Sequence, residues 1–314
     1  MPAALIAARF VHLGAGMILF GSSLFALYAG IERQAGAAAA DDWPGSRIAR
    51  LQRWCALASL IGAAGWFVCV TADMAGRPED AFDGQTLRLV LFATHFGAVW
   101  QIELVLALLL VAVTWLAEPL LDRSLRPAVV LVVSAGFLIG AAAAGHAAMD
   151  AGLAGALHVA ADALHLLAAA AWLGGLVPLY FVLRRSLGGS ADVGTTVHCL
   201  MRFSAMGYGA VGMLIASGLL NAWRLVGSRA DDVLASGWGQ ILALKLALVA
   251  MLLLIAAVNR LRLVPRLTSR LPRDQPEVLS ALIRNVALEQ GLGGLVLGLA
   301  SALGTLPPPL GVGQ

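Results

Sequence analysis

The chain has 314 residues, of which 60% are hydrophobic and only 12% are charged, with a formal net charge of +3. A soluble protein carries roughly 25% charged residues, so this composition excludes an ordinary soluble domain. The small net charge gives no indication of nucleic-acid binding. We therefore predict an integral membrane protein that contacts the lipid bilayer along most of its length.

Hydropathy divides the chain into about eight apolar segments, each close to the roughly 20 residues that cross a bilayer. The first segment exceeds the apolar region of a typical signal peptide and has no basic residues before it, so we interpret it as a retained helix. We predict an all-α polytopic membrane helix bundle in which residues 1–314 form a single transmembrane domain. The predicted spans are 5–28, 54–74, 97–116, 127–149, 157–182, 203–223, 239–259 and 287–306.

Two further segments adjoin predicted spans without adding a crossing. Residues 87–96 make the third span too long for one straight helix, so we expect them to tilt or to lie along the interface. Residues 277–287 have amphipathic helical spacing and are expected to lie on the inner membrane surface.

The distribution of arginine orients the predicted bundle. Most arginines lie in the loops that follow the first, third, fifth and seventh spans. Because cytoplasmic loops carry an excess of Lys and Arg, these loops are predicted to be cytoplasmic. The N and C termini are then both periplasmic, as an even number of spans requires.

This orientation places five of the six histidines towards the outer face. His12 falls in the outer half of the first span, His95 at the outer entry to the third, and His146 at the outer end of the fourth. His158 and His165 fall in the outer half of the fifth span. Ionisable side chains are costly inside a membrane, so such a concentration indicates a functional site.

The fifth span shows the clearest geometry. His158, Asp162 and His165 are spaced four, three and seven residues apart, which places them on one helical face. At 1.5 Å per residue, His165 lies about 10 Å deeper than His158. Asp162 can take a proton from either imidazole or orient it. His146 and Met149 are three residues apart and share a face of the fourth span.

Copper binding fits this set of side chains. Imidazole suits copper, zinc, iron and nickel, and thioether sulfur adds a preference for Cu(I). We predict a periplasm-facing site for Cu(I) or Cu(II), with nearby carboxylates that attract the cation. The predicted ligands are His12, His95, His146, His158, His165 and Met149, and the predicted supporting carboxylates are Asp73, Glu103, Asp150 and Asp162.

Structural interpretations of the same polar residues stay open. A single intramembrane histidine often only hydrogen-bonds to a neighbouring helix. Glu103 and Glu289 fit either proton carriers or hydrogen-bonding partners between helices. Lys245 fits either a partner for an acidic residue or a side chain that extends towards the membrane surface.

Several long motifs follow one another in the second half of the chain. They are LHVAADALHLLAAAAWLGGLVPL, RFSAMGYGAVGMLIASGLLNAW, LALKLALVAMLLLIAAVNRLRLVP and LEQGLGGLVLGLASALGTLPPP, preceded by THFGAVW. In this order they resemble the CopD family of bacterial copper-resistance and copper-uptake membrane proteins. The resemblance covers about residues 90–310 and is strongest over 157–310.

The resemblance implies a multi-pass protein of the bacterial inner membrane that brings copper from the periplasm towards the cytoplasm. It also implies a separate periplasmic copper-binding partner of the CopC type. The chain has no G-x-x-x-x-G-K-[ST] motif for nucleotides, so we expect a facilitated or ion-coupled permease and no enzymatic activity. Two alternatives remain: a redox protein that holds b-type haem with an intramembrane histidine pair, and a scaffold for a periplasmic partner.

Overall fold

The regular structure of the described residues is entirely helical. The computed structural model describes residues 2–30, 44–116, 122, 125–144, 152–189, 193–226, 233, 236–269 and 275–306. Eight helices among these residues are long and apolar enough to cross a membrane. The predicted all-α polytopic bundle is therefore confirmed.

The described helices comprise eight crossings, one short additional helix and a 3₁₀ turn. Two crossings contain a π turn, so each is described as two labelled helices. The helices are α1 (Pro2–Ala29), α2 (Pro44–Ala75), α3 (Gly84–Ala93), α4 (His95–Trp115), α5 (Arg126–Ala143), α6 (Gly152–Ala169), α7 (Gly175–Leu187), α8 (Val193–Val226), α9 (Gly237–Val258), α10 (Val264–Ser269) and α11 (Gln275–Leu303). The 3₁₀ turn is Pro78–Phe82, and the π turns are Ala170–Gly174 and Asn259–Leu263.

The last crossing begins earlier than the sequence pattern predicts. Residues 277–287 are the first turns of α11, so the prediction of a separate helix on the inner surface is wrong. The amphipathic pattern arises because Val278, Leu282 and Val286 are buried against the rest of the bundle. A helix that packs on protein along one face produces the same spacing as a helix that lies on a membrane.

The third crossing is preceded by a separate short helix, α3. Thr94 has an extended backbone, and its hydroxyl oxygen accepts a hydrogen bond from the amide of Gly97 at 2.9 Å, which begins α4. Gly97 packs so closely on the backbone carbonyls of Val90 and Leu91 that a Cβ atom would collide with them. This break explains why residues 87–96 do not continue the crossing in a straight line.

Helix α1 is the centre of the bundle. It packs against α2 and α5 on one side and against α7, α11 and the first π turn on the other. Glycines permit these close approaches: Gly62 of α2 faces the backbone of His12, Gly16 faces the ring of Phe137, and Gly21 faces the π turn. Small residues at crossings are typical of membrane helices, where packing must replace the hydrophobic effect.

The first and the last crossings meet at one end of the bundle. The guanidinium of Arg9, in α1, lies against Gly304, just beyond α11. At the other end, Arg53 and Arg126 both donate to the carbonyl oxygen of Thr114 at 3.1 Å. Cations at the carboxyl end of a helix stabilise its unpaired carbonyls and its dipole. The assignment of the first end to the periplasm rests on the arginine pattern and stays a prediction.

Candidate functional site

Two groups of intramembrane polar side chains among the described residues contain a buried or half-buried histidine that the sequence predicts as a ligand and that has a polar partner on another helix. The first, called the His12 site, consists of His12, Trp66, Trp100, Glu103 and Phe137. The second, called the His165 site, consists of Asp162, His165, Ser217, Asn221 and Lys245. The His12 site joins α1, α2, α4 and α5, whereas the His165 site joins α6, α8 and α9.

The His12 site is a carboxylate and an imidazole enclosed by aromatic rings. Nε2 of His12 lies 3.1 Å from Oε2 of Glu103, and both side chains are fully buried. Ring centroids lie 4.3 Å away for Phe137, 5.2 Å for Trp66 and 5.7 Å for Trp100. Neither nitrogen of His12 and neither oxygen of Glu103 makes a hydrogen bond of good geometry among the described residues.

Glycine on the neighbouring helices makes room for this pair. A Cβ atom at Gly140 of α5 would collide with the carboxylate of Glu103, and one at Gly62 of α2 would collide with the backbone of His12. The pair therefore occupies space that a side chain at Gly62 or Gly140 would fill. The carboxylate, the aromatic rings and the backbone near Ser59 of α2 enclose the imidazole, which has no open face.

In the His165 site, a serine hydroxyl lies within hydrogen-bonding distance of one imidazole nitrogen. Nδ1 of His165 lies 3.1 Å from the hydroxyl oxygen of Ser217. That hydroxyl donates its own proton to the carbonyl oxygen of Met213 at 2.6 Å, so its oxygen is available to accept from Nδ1–H. The tautomer with the proton on Nδ1 has its lone pair on Nε2, which is the form of histidine that binds a metal ion.

Further polar side chains lie on α6, α8 and α9 in the same part of the bundle. Oδ1 of Asp162 accepts a hydrogen bond from Nδ2 of Asn221, which links α6 to α8. Lys245 of α9 is near enough to Asp162 and His165 for an electrostatic interaction with each. Gly218 faces the ring of His165, where a Cβ atom would lie 3.3 Å from Cε1. The site thus combines an imidazole with one acidic and one basic side chain.

The other predicted site residues lie in different settings. His158 is buried on α6, two turns nearer its amino end than His165. His95 is the first residue of α4 and is exposed, as is Asp73 near the end of α2. His146, Met149 and Asp150 lie outside the described residues.

The described residues do not bring the predicted ligands together at one point. Among them, no group of three or more His, Cys, Asp or Glu side chains could hold a metal ion. A single site that draws on all five outer histidines therefore stays a prediction, and it depends on His146, Met149 and their neighbours.

The sequence predicts His12 as a ligand and Glu103 as a supporting carboxylate, but it does not predict that the two side chains meet. It also does not single out Ser217 and Asn221. Their four-residue spacing in the sixth span is a polar stripe that matches the stripe of Asp162 and His165 in the fifth. Two such stripes in consecutive, antiparallel spans are a usable signal for a shared polar layer.

Two protein-family models match parts of this chain. The model of the N-terminal domain of copper resistance protein D-like proteins matches residues 1–156, and the model of copper resistance protein D matches residues 197–303.

Three relatives show how far the likeness extends. Inner membrane protein YebZ of Escherichia coli is 32% identical over 96% of this chain and 98% of its own. Copper resistance protein D of Pseudomonas syringae pv. tomato is 31% identical over 98% of both chains. Copper transport protein CutJ of Bacillus subtilis is 28% identical over 76% of this chain and 42% of its own. No solved structure matches the chain.

Proposed function

Because the chain belongs to the copper resistance protein D family, we propose that it is a permease that moves copper from the periplasm towards the cytoplasm. It is a multi-pass protein of the inner membrane with eight helices long enough to cross it among the described residues. In this proposal copper is cargo, and no catalytic step or nucleotide is involved. A separate periplasmic copper-binding protein would deliver the ion.

The orientation of His165 is the observation that carries the proposal. Ser217 lies 3.1 Å from Nδ1, and with the proton on Nδ1 the lone pair would be on Nε2. The same face of α6 carries Asp162, which is hydrogen-bonded to Asn221. Metal-binding histidines usually donate their other ring N–H to such a partner, which fixes the ring and raises its basicity. Imidazole is a good ligand for copper in either oxidation state.

His158 and His165 would bind copper in succession. Seven residues of α-helix separate them by about 10 Å, which is too far for one ion to bridge both imidazoles directly. Both lie on the face of α6 that carries Asp162. We assign them two successive positions along the path of the ion, with His146 and Met149 as earlier ligands on the periplasmic side.

His12 has a different role in this proposal. Rings pack around its imidazole, and Glu103 occupies the position next to Nε2. A copper ion at Nε2 would have to displace that carboxylate from a fully buried position. We therefore assign copper capture to the His165 site, and a structural role in the bundle to the His12 site.

Copper flux into proteoliposomes tests the proposal. Purified protein is reconstituted and supplied with copper under reducing conditions, and in a second series without reductant, while the ion that enters is measured. We expect flux with the wild type and at least a tenfold loss with His165→Ala. His198→Ala is the matched control, because His198 is exposed on α8.

Three outcomes would contradict the proposal. They are wild-type flux no greater than that of empty vesicles, unchanged flux with His165→Ala, and a Soret band in the purified protein. The last result would favour the haem alternative, and the first would favour a scaffold.

A further inference from the structure

A second buried carboxyl group lies between α9 and α11, away from the two sites described above. Glu289 of α11 is only 2% exposed. Its Oε1 accepts a hydrogen bond from Nδ2 of Asn259 at 2.6 Å, and Oδ1 of Asn259 accepts one from Nδ2 of Asn285 at 2.7 Å. These three side chains form a short hydrogen-bonded chain inside the membrane-spanning region.

No cation balances Glu289 within the described residues. The elements that pack against this region are α1, α7, α9, α10 and the two π turns. None of their charged groups is in electrostatic contact with the carboxyl group. The charged and titratable side chains of these elements and of α11 itself are Arg9, His12, Tyr28, Tyr180, Arg184, Arg185, Lys245, Arg260, Arg262, Arg266, Glu277 and Arg284.

Several of these groups have partners elsewhere. Arg260 donates to the hydroxyl of Tyr208 and to the sulfur of Met201. Arg184 lies over the ring of Tyr180. An ionised carboxylate buried without a cation is costly, so this environment favours the protonated, neutral form of Glu289.

The partner of Glu289 can serve both protonation states. The amide of Asn259 donates to a carboxylate as it stands, and without rotation it can donate equally to the carbonyl oxygen of a neutral carboxylic acid. An arginine or lysine in that position would hold the carboxylate ionised. The amide group points its N–H, and not its oxygen, at Glu289, which disfavours a metal cation between them.

The backbone also distinguishes this position. Asn259 is the first residue of the second π turn, and single π turns are frequent at functional sites in helices. Asn285 lies one turn nearer the start of α11 than Glu289, so the hydrogen-bonded chain leads towards the end of the bundle that is predicted to be cytoplasmic.

We propose that Glu289 and Asn259 form a proton-binding site within the membrane. The carboxylate takes up one proton from water at the predicted cytoplasmic end of α11 and becomes a neutral carboxylic acid, and it returns that proton in the reverse step. Coupling of this proton to copper movement rests on the proposed function, whereas proton binding itself does not.

Infrared difference spectroscopy of the purified protein at two pH values tests proton binding. We expect a C=O stretching band of a protonated carboxyl group that weakens as the pH rises. Glu289→Gln should abolish the component that Glu289 contributes, and Glu277→Gln should leave the spectrum unchanged, because Glu277 is exposed at the start of α11. Glu103→Gln identifies the contribution of the other buried carboxyl group.

Asn259→Leu provides a second readout that does not depend on removing the carboxyl group. It should shift the frequency of the Glu289 band, because the band reports the hydrogen bond to Oε1. A difference spectrum of Glu289→Gln identical to that of the wild type would overturn the proposal, as would an unshifted band in a folded Asn259→Leu protein.

Proteoliposomes that contain a pH-sensitive dye separate the two proposals. We expect copper entry to be accompanied by proton movement in the wild type, and Glu289→Gln to lose the proton movement. Copper entry without the infrared band would overturn the proton site alone. The band without copper entry would overturn the permease alone.

Discussion

The His12 site and the His165 site differ in what surrounds the imidazole. At the His12 site the ring lies among three aromatic rings, with a carboxylate 3.1 Å from Nε2. At the His165 site a serine hydroxyl lies 3.1 Å from Nδ1, and the same polar group contains an aspartate that is hydrogen-bonded to an asparagine. The same side chain is thus enclosed in one half of the molecule and oriented in the other.

This difference shows that a histidine inside a membrane acquires its role from the neighbouring helices. Aromatic rings around His12 exclude ligands and contribute packing, since aromatic contacts bury large areas. With Ser217 as the acceptor for Nδ1–H, His165 would have a lone pair on Nε2 for an incoming ion, as the proposed function requires. Helical position and depth alone would have given the two residues the same role.

The largest expected effect comes from removing one of the aromatic rings that enclose His12. Phe137 is fully buried against His12 and Gly16. Phe137→Ala should lower the free energy of unfolding by about 3–5 kcal/mol, because the tightly packed helices can only partly close the cavity that the lost ring leaves. Unfolding in detergent measures this, with Val132→Ala as the control because Val132 of α5 is 69% exposed. Equal losses of unfolding free energy in the two variants would show that the ring of Phe137 is not part of the core.

The next effect should appear only at the His165 site. Ser217→Ala removes the acceptor for Nδ1 of His165, so copper affinity should fall about 10–100-fold, as it does when a partner behind a metal-binding histidine is lost. Ser217→Thr retains a hydroxyl and should retain most of the affinity. Competition with a copper chelator measures both variants. Wild-type affinity in Ser217→Ala would mean that the hydroxyl does not orient the ligand.

A smaller effect tests whether the two sites are energetically separate. A double-mutant cycle of His12→Gln and Glu103→Gln should give a coupling energy of about 1 kcal/mol, typical of polar contacts between membrane helices. The cycle of His12→Gln and Asp162→Asn should give a coupling close to zero, because the residues belong to different sites. Comparable coupling in both cycles would remove the distinction between the sites.

The smallest effect lies outside both sites, at the start of α3. The amide and the hydroxyl of Thr86 donate to the carboxylate of Asp83 and hold the pKa of Asp83 below its usual range. Because this pKa is lowered by folding, the contribution of the cap is present above the ordinary pKa of aspartate and is lost as the pH falls through the lowered value.

Hydrogen exchange at the amide of Thr86 checks this prediction. Acid should loosen the first turn of α3 in the wild type. Asp83→Asn caps the helix without titrating, so the ratio of wild-type to variant exchange rates should rise as the pH falls. A ratio independent of pH would contradict the account of this cap.

Features that depend on local sequence could be predicted from it. The eight apolar helices and the shared face of His158, Asp162 and His165 follow from hydropathy and helical periodicity. The sequence alone therefore predicts the polar face of the fifth span. By contrast, the pairing of His12 with Glu103 depends on how the first and third crossings meet, and that arrangement is not encoded in hydropathy.

The sequence fails to predict the structure where one sequence pattern fits two different environments. The apolar stripe of residues 277–287 fits a membrane surface as well as a protein surface, and the buried side chains of Val278 and Leu282 show which one applies. Lys245 could extend to the interface or meet a charge, and its electrostatic interaction with Asp162 depends on the arrangement of helices far apart in the sequence. Long-range packing decides such cases.

Copper stoichiometry in the purified protein tests the central claim most directly. The wild type, His12→Gln and His165→Ala are loaded with copper under reducing conditions, freed of excess metal, and analysed for bound copper with X-ray absorption of the ligand shell. We predict imidazole-bound copper in the wild type and in folded His12→Gln, and loss of that copper in His165→Ala. Full copper content in His165→Ala, or its loss in folded His12→Gln alone, would contradict the assignment of copper binding to the His165 site.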